Sequence, residues 1–385
     1  MKKRFIRIFV CVVVVVHIAM ASVFISHEVF NFTSSNSALY FLHGKFGGIE
    51  IKRDLLIEDA HRLIFTLDAN CVFNWLMKGL AIARQKPLLE LTWNTKEGTG
   101  GIKQFRADGT MLVLSFSRSR DSDGRPKGLF LGGDLPYGDI SRAESQDTSG
   151  FGYYDGEDWY HIWCASNEAF KLSGKKRTVV PSTWRFLKSR VLKNTKEEVI
   201  LESEHEVELN GNKINMKRFV SFKAGEDYFL LRVRFTNLGT KPITYGYAWG
   251  DEPWVGHYGA SKGDVGWYDD GLIQNEMLLS PVRHKYAGYW DYGNEAAGED
   301  HNFSGYANFV EWLYPTPSLV FFSNSIENCC SETTPLASEQ NRVINIVWLN
   351  QLLLPGESRD HILAIGMATV DPKTGMPKKP KVSFD

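Results

Sequence analysis

Between Glu197 and Asn237 the order of residues permits a single strand register. Asn210-Gly211 is the pair favoured by two-residue hairpin turns, because both central positions of such a turn take positive φ. With that pair at the tip, Leu209 faces Asn212, Glu208 faces Lys213, Val207 faces Ile214, His205 faces Met216, Glu204 faces Lys217, Ser203 faces Arg218 and Leu201 faces Val220. One side of the hairpin then collects Leu201, Val207, Leu209, Ile214, Met216, Val220 and Phe222, while the other sets Glu202, Glu204, Glu206 and Glu208 against Lys213 and Lys217. A slip of one residue would bury the glutamates, so the pattern fixes its own register. A third strand follows the KAGED turn, with Phe229, Leu231, Val233 and Phe235 inward. The NLGTKP turn leads to a fourth, giving an antiparallel meander with one apolar and one charged face.

Three groups interrupt the apolar face. His205, Ser203 and Arg218 fall on it, where an unpaired charge is costly, so each needs a partner or water. They are either a satisfied structural cluster or groups that reach a ligand through a partly open inner face.

The fourth strand delivers the densest chemistry in the chain, Thr244 to Asp270 (TYGYAWGDEPWVGHYGASKGDVGWYDD). Tyr245, Tyr247 and Trp249 alternate with Gly246, Ala248 and Gly250 on a strand, and the pattern breaks at Asp251. Loops held on a rigid scaffold are common places for binding residues. Indole and phenol faces beside carboxylates suit carbohydrate: rings cover the C–H faces of a sugar and polar groups fix its hydroxyls. The candidates for acid/base chemistry are Asp251, Glu252 and His257. Trp249, Trp254, Tyr258 and Trp267 are the candidate sugar platform, with Asp269, Asp270, His205 and Arg218 as further substrate contacts. Asp251 and Glu252 are adjacent, so on a strand they point apart, and a facing pair needs a partner such as Asp269, Asp270, Asp158 or Glu311. A second stretch of the same character, YYDGEDWYHIWC, ends a long irregular segment over 119–158 and could line the same cleft. Asp264, Asp269 and Asp270 offer calcium a weak set of oxygen ligands, without EF-hand spacing; no other cofactor is expected. Phosphate-binding, serine-hydrolase and zinc-protease motifs are absent.

Composition supports a mostly β chain. Aromatics make up 13% of 385 residues, and 34 glycines against 14 prolines suit short strands and glycine turns. A net charge of −1 supplies no overall field for nucleic acid or an anionic membrane, so neither is an expected partner of the folded part. Residues 1–25 read as a signal peptide or an uncleaved membrane anchor, with a basic head (Lys2, Lys3, Arg4, Arg7), an apolar run and Ala19-Met20-Ala21 as a cleavage site. The remainder would then be secreted, periplasmic or anchored outside the cytoplasm, touching membrane only through that segment. Cys71, Cys164, Cys329 and Cys330 leave room for a disulfide, and Asn31 and Asn302 stand in glycosylation patterns. Residues 26–40 read as a tether, 41–110 as a small mixed α/β part with a helix near 72–84 and a strand over 88–93, 111–370 as a large antiparallel β-sandwich, and 371–385 as a loose tail.

From about residue 180 to residue 368, the rhythm of Phe235-Thr236-Asn237, turn, Pro242, strand and aromatic/acid loop, with a late strand running into LLPGES, resembles the galactose-mutarotase-like β-supersandwich. That resemblance implies a sugar-facing concave sheet. Aldose epimerases of that family carry a histidine followed by an aromatic and an asparagine just after the strand matching Thr244–Gly250. Here the place reads Gly250-Asp251-Glu252-Pro253-Trp254, and His257 is followed by Tyr258-Gly259. The expected function is processing of a glycan by hydrolysis, elimination or epimerisation, against a non-catalytic glycan-binding or envelope-structural module.

Overall fold

A computed structural model describes residues 39–46, 49–56, 87–116, 121–125, 127–131, 150–157, 159–163, 167–251, 255–256, 264–291, 305–324, 335–336 and 343–384, the first two stretches as backbone only. The chain divides into two compact units, Met1–Arg84 and Gln85–Asp385. In the first, β1 (Leu39–Phe46) and β2 (Ile49–Leu56) pair antiparallel. The expected signal or anchor and the helix near 72–84 lie outside the described residues. Among the described residues, no helix is long and apolar enough to cross a membrane.

The second unit is antiparallel β throughout its described strands. β3 (Leu88–Asn94), β4 (Thr99–Phe105), β5 (Met111–Phe116), β6 (Gly150–Tyr154) and β7 (Trp159–Trp163) form a five-stranded meander in chain order. β3 and β4 thus share a sheet with β5, and the unit begins at Gln85 instead of near residue 110. The irregular segment over 119–158 contains β6, a strand hidden from the sequence by its glycines. Next come β8 (Asn167–Leu172), β9 (Thr178–Val179) and a short 3₁₀ turn over Pro181–Thr183. β10 (Arg185–Asn194), β11 (Glu198–Leu209), β12 (Asn212–Lys223) and β13 (Tyr228–Asn237) follow, then β14 (Ile243–Asp251). Beyond lie β15 (Asp264–Tyr268), β16 (Gly271–Ile273), β17 (Met277–Leu279), β18 (Tyr286–Asp291), β19 (Tyr306–Tyr314), β20 (Leu319–Ser323), β21 (Val343–Leu353), β22 (Ser358–Asp371) and β23 (Met376–Lys378).

These strands make a ten-stranded sheet in the order β10-β11-β12-β13-β22-β19-β18-β15-β16, with β23 added beside β22, and a six-stranded sheet in the order β17-β20-β21-β14-β8-β9. One core of buried side chains joins residues of all three sheets, from Leu112 and Phe151 through Phe222 and Phe235 to Tyr247 and Trp348. A smaller core on the other side of the ten-stranded sheet gathers Tyr228, Trp267, Trp290 and Phe309. The sandwich expected from the sequence is therefore the architecture observed. The tail is held where a loose end was expected: β23 pairs with β22, Lys379 contacts Glu311 at 2.6 Å, and Ser383 N–H donates to the Tyr228 hydroxyl.

The hairpin has the predicted register at every pair, from Leu209↔Asn212 to Leu201↔Val220. Asn210 and Gly211 take φ of 54° and 75°. At Gly211 an added Cβ would meet nothing within 4 Å, so the position restricts the backbone and not the space around it. Gly211→Ala is expected to destabilise the second unit by about 1 kcal/mol through left-handed backbone strain alone, read as a lower urea midpoint with an unchanged slope.

Candidate functional site

The two aromatic and acidic stretches seen in the sequence meet. Tyr245, Tyr247 and Trp249 point inward from β14 and are at most 1% exposed. The Trp249 ring lies 4.9 Å from that of Trp163, the last residue of β7, with the planes 31° apart. Past the end of β14, Gly256 exchanges two backbone hydrogen bonds of 2.7 and 2.9 Å with His161 of β7. Trp249 is also the cross-strand partner of Glu168 on β8, so an acid stands beside the paired indoles.

Glu168 answers the anomaly of the hairpin. Its Oε2 accepts from Arg218 Nη1 at 2.7 Å and from the Tyr247 hydroxyl at 2.6 Å. Arg218 Nε donates to the Leu129 carbonyl, and its guanidinium lies 4.0 Å over the Phe130 ring. Leu129 N–H in turn donates to Ser203 Oγ at 3.1 Å. The segment 127–131 is thus tied to the hairpin, and Arg218 joins it to the six-stranded sheet. The Tyr247 hydroxyl is pushed well above its ordinary pKa by burial and by the Glu168 carboxylate, so it stays a donor. The cluster is largely a satisfied one, with exceptions. Glu168 Oε1, both ring nitrogens of His205, and the indole nitrogens of Trp163 and Trp249 are buried without a hydrogen-bond partner.

His205 is enclosed edge-on by Phe130 and Phe186, at ring separations of 5.3 and 5.5 Å. A Cβ at Gly128, where φ is 82°, would fall 2.5 Å from His205 Cε1, so this close approach requires glycine. Burial, and then the positive charge of Arg218, lower the His205 pKa to about 3. His361, whose Nε2 is 2.9 Å from the Tyr245 hydroxyl, is likewise lowered to about 3 by burial and then Arg359.

The remaining candidates lie elsewhere. Trp267 points to the smaller core on the far side of the ten-stranded sheet, where its Nε1 donates to the Asn308 carbonyl at 2.9 Å. Asp269 and Asp270 form the exposed β15–β16 turn. His284 Nδ1 is 2.6 Å from Asp269 Oδ1 and 3.9 Å from Asp270 Oδ2. These three residues present ligand atoms within 4.8 Å of one another. The backbone of Asp264 stands at the opposite end of β15, and its side chain lies outside the described residues. An imidazole with two carboxylates suits a zinc-like cation better than calcium, which prefers an all-oxygen shell. Glu311 is close by: it and the two aspartates raise the pKa of Tyr286 after burial does, and Lys379 lies 5.1 Å over the Tyr286 ring.

One expectation needs correction. Trp249 and Trp267 are 0 and 1% exposed and pack on opposite sides of the ten-stranded sheet, so they do not form one open platform. Each ring removes a large apolar area from water by turning inward, and strand alternation sends the two to different cores. Asp251 ends β14 with its backbone opposite Ile344. Glu252, Trp254, His257 and Tyr258 lie outside the described residues. Sequence reading missed Glu168 and Tyr247 as partners of Arg218. A signal existed, because Glu168 shares strand parity with Phe170 and Leu172 and so falls on an apolar face.

No family model and no curated relative matches the chain. Solved structures do. The chain is similar to galactose-mutarotase-like and aldose-epimerase-like structures. A galactose mutarotase-like protein from Clostridium acetobutylicum aligns at 10% identity over 74% of this chain and 99% of that one, with a TM-score of 0.37. An aldose epimerase homologue from C. elegans aligns at 11% identity over 71% of this chain and 100% of that one, with a TM-score of 0.35. An alpha-N-acetylgalactosaminidase from Bifidobacterium bifidum aligns at 9% identity over 67% of this chain and 35% of that one, with a TM-score of 0.35.

Two outcomes follow from the buried pair. Glu168→Ala leaves Arg218 as an uncompensated interior charge and is expected to cost about 3–5 kcal/mol, whereas replacing both by leucine and methionine recovers most of that loss in urea unfolding. For the histidines, the unfolded chain takes up a proton below about pH 6.5, while folded His205 stays neutral down to about pH 3. The unfolded state binds more protons throughout that window, so stability falls as pH falls from about 6.5 to about 3. His205→Phe is expected to flatten this slope relative to the parent, measured by denaturation at a series of pH values.

Proposed function

We propose that the protein is a carbohydrate-active protein that acts outside the cytoplasm, where its sugar is held at the junction of β7, β8 and β14. The observation that supports this reading is the meeting of the two aromatic and acidic stretches, with Trp163 4.9 Å from Trp249 and His161 bonded to Gly256. The end of β14 carries the backbone of Asp251 to that junction. In this reading Asp251, Glu252 and His257 are the acid/base groups, and Glu168, held by Arg218 and Tyr247, fixes sugar hydroxyls. Burial of the junction suits chemistry that must exclude bulk water.

A second reading is a glycan-binding or envelope-structural module without turnover, and the burial of Trp249 and Trp267 in separate cores favours its structural form. Asp251→Ala with Glu252→Ala separates the two. Loss of turnover on a responsive glycan with binding retained is the expected result for an enzyme. Binding by the intact chain with no turnover across a broad panel of glycosides, free sugars and uronate polymers decides for the module.

A further inference from the structure

The β15–β16 turn carries two consecutive carboxylates, and a third donor reaches them from a different turn. Asp269 and Asp270 follow the last residue of β15, while His284 lies between β17, in the six-stranded sheet, and β18, in the ten-stranded one. The backbone N–H groups of Arg283 and His284 both donate to the Ser280 carbonyl, which closes that second turn. The His284 side chain is 10% exposed and meets the Tyr268 ring edge-on at 5.0 Å, so the residue before Asp269 fixes the imidazole that faces Asp269. Its Nδ1 stands 2.6 Å from Asp269 Oδ1 and 3.9 Å from Asp270 Oδ2, and the three donor atoms lie within 4.8 Å of one another. The charge at this place is unbalanced. Among the described residues neither aspartate has a lysine or arginine partner, although Arg283 and Lys285 flank His284 in the chain. Glu311 is the contrast, since Lys379 stands 2.6 Å from it. The aspartates are felt at Tyr286, whose hydroxyl pKa is raised first by burial and then by Asp269, Glu311 and Asp270. Like charges this close disfavour each other, and a cation between them relieves the repulsion.

We infer that Asp269, Asp270 and His284 form a binding site for a divalent transition cation of the zinc class. Donors at about 2.0–2.2 Å from one tetrahedral ion stand about 3.3–3.5 Å from each other. The separations of 2.6 and 3.9 Å fall on either side of that value, so side-chain shifts of under about 1 Å bring the three donors onto one ion. The imidazole decides the class of ion: calcium and magnesium take oxygen shells, whereas a nitrogen donor with two carboxylates suits zinc and its neighbours. On binding, the cation takes the place of the hydrogen that Nδ1 shares with Asp269, and that proton leaves to solvent. Three protein donors leave a fourth position to water. The bound ion would tie the β15–β16 turn, at the edge of the ten-stranded sheet, to the connection arriving from the six-stranded sheet. The site is independent of the carbohydrate reading, and either can fail while the other stands.

The test is titration calorimetry and equilibrium dialysis of the full chain, first treated with a chelator, against Zn²⁺, Ca²⁺ and Mg²⁺ in turn. The same measurements are made on the variants Asp270→Asn and His284→Gln. Zinc is expected to bind more tightly than calcium or magnesium. Each variant is expected to raise the Kd of one zinc equivalent at least about 10- to 100-fold, because losing even an outer partner of a metal ligand costs that much. Saturating zinc is also expected to raise the urea midpoint of the parent by more than that of either variant. The Asp270 side chain is 61% exposed, so Asp270→Asn removes a donor without disturbing the core and decides by itself if His284→Gln fails to fold. Absence of zinc binding overturns the site. So does zinc uptake that either variant leaves unchanged in number and affinity, or tighter binding of calcium than of zinc.

Discussion

The buried contact between Arg218 and Glu168 links the parts on which the architecture depends. Arg218 stands on the inner face of the ten-stranded sheet, Glu168 on that of the six-stranded sheet, and the guanidinium also holds the Leu129 carbonyl. Two charges can be withdrawn from water only when each finds the other and their remaining hydrogen-bonding capacity is met. That requirement fixes how strands β8 and β12 face each other and where the segment 127–131 lies. Tyr247 adds a third contact from β14, so the same carboxylate oxygen gathers three elements.

Around this contact the interior is unusually aromatic. Phe170 stacks on Tyr245 at 5.0 Å and Tyr247 on Trp348 at 5.5 Å, while Phe235 meets Tyr245, Tyr247 and His361. Rings of this size bury large areas, and they also carry polar edges that must be answered. Most are: Tyr245 pairs with His361, Tyr247 with Glu168, and Trp348 with the Pro315 carbonyl. The indole nitrogens of Trp163, Trp184 and Trp249 are left unanswered, and those of Trp163 and Trp249 belong to the place where the two aromatic stretches converge.

How much could be read beforehand depended on the range of the forces involved. The β11–β12 register was legible because a two-residue turn and strict alternation are local properties of the chain, and each pair confirmed the next. His205, Ser203 and Arg218 were legible as anomalies for the same reason. Their partners were not, since Glu168 lies 50 positions and Leu129 lies 89 positions from Arg218 along the chain. The tryptophans misled because a density of indoles looks alike whether it faces solvent or a core. Placing Trp249 and Trp267 on opposite sides of one sheet needed the strand order.

The sequence by itself determined an antiparallel meander, its register, its two-faced character and the three polar residues turned inward, because period-two patterning acts between neighbours. Only the tertiary structure decided that β7 and β14 end side by side, that Glu168 is the counter-charge of Arg218, and that Asp269 and Asp270 sit with His284 apart from the interior cluster. Those outcomes follow from how sheets stack. Stacking is set by the summed burial of many side chains far apart in the chain, which no short stretch encodes.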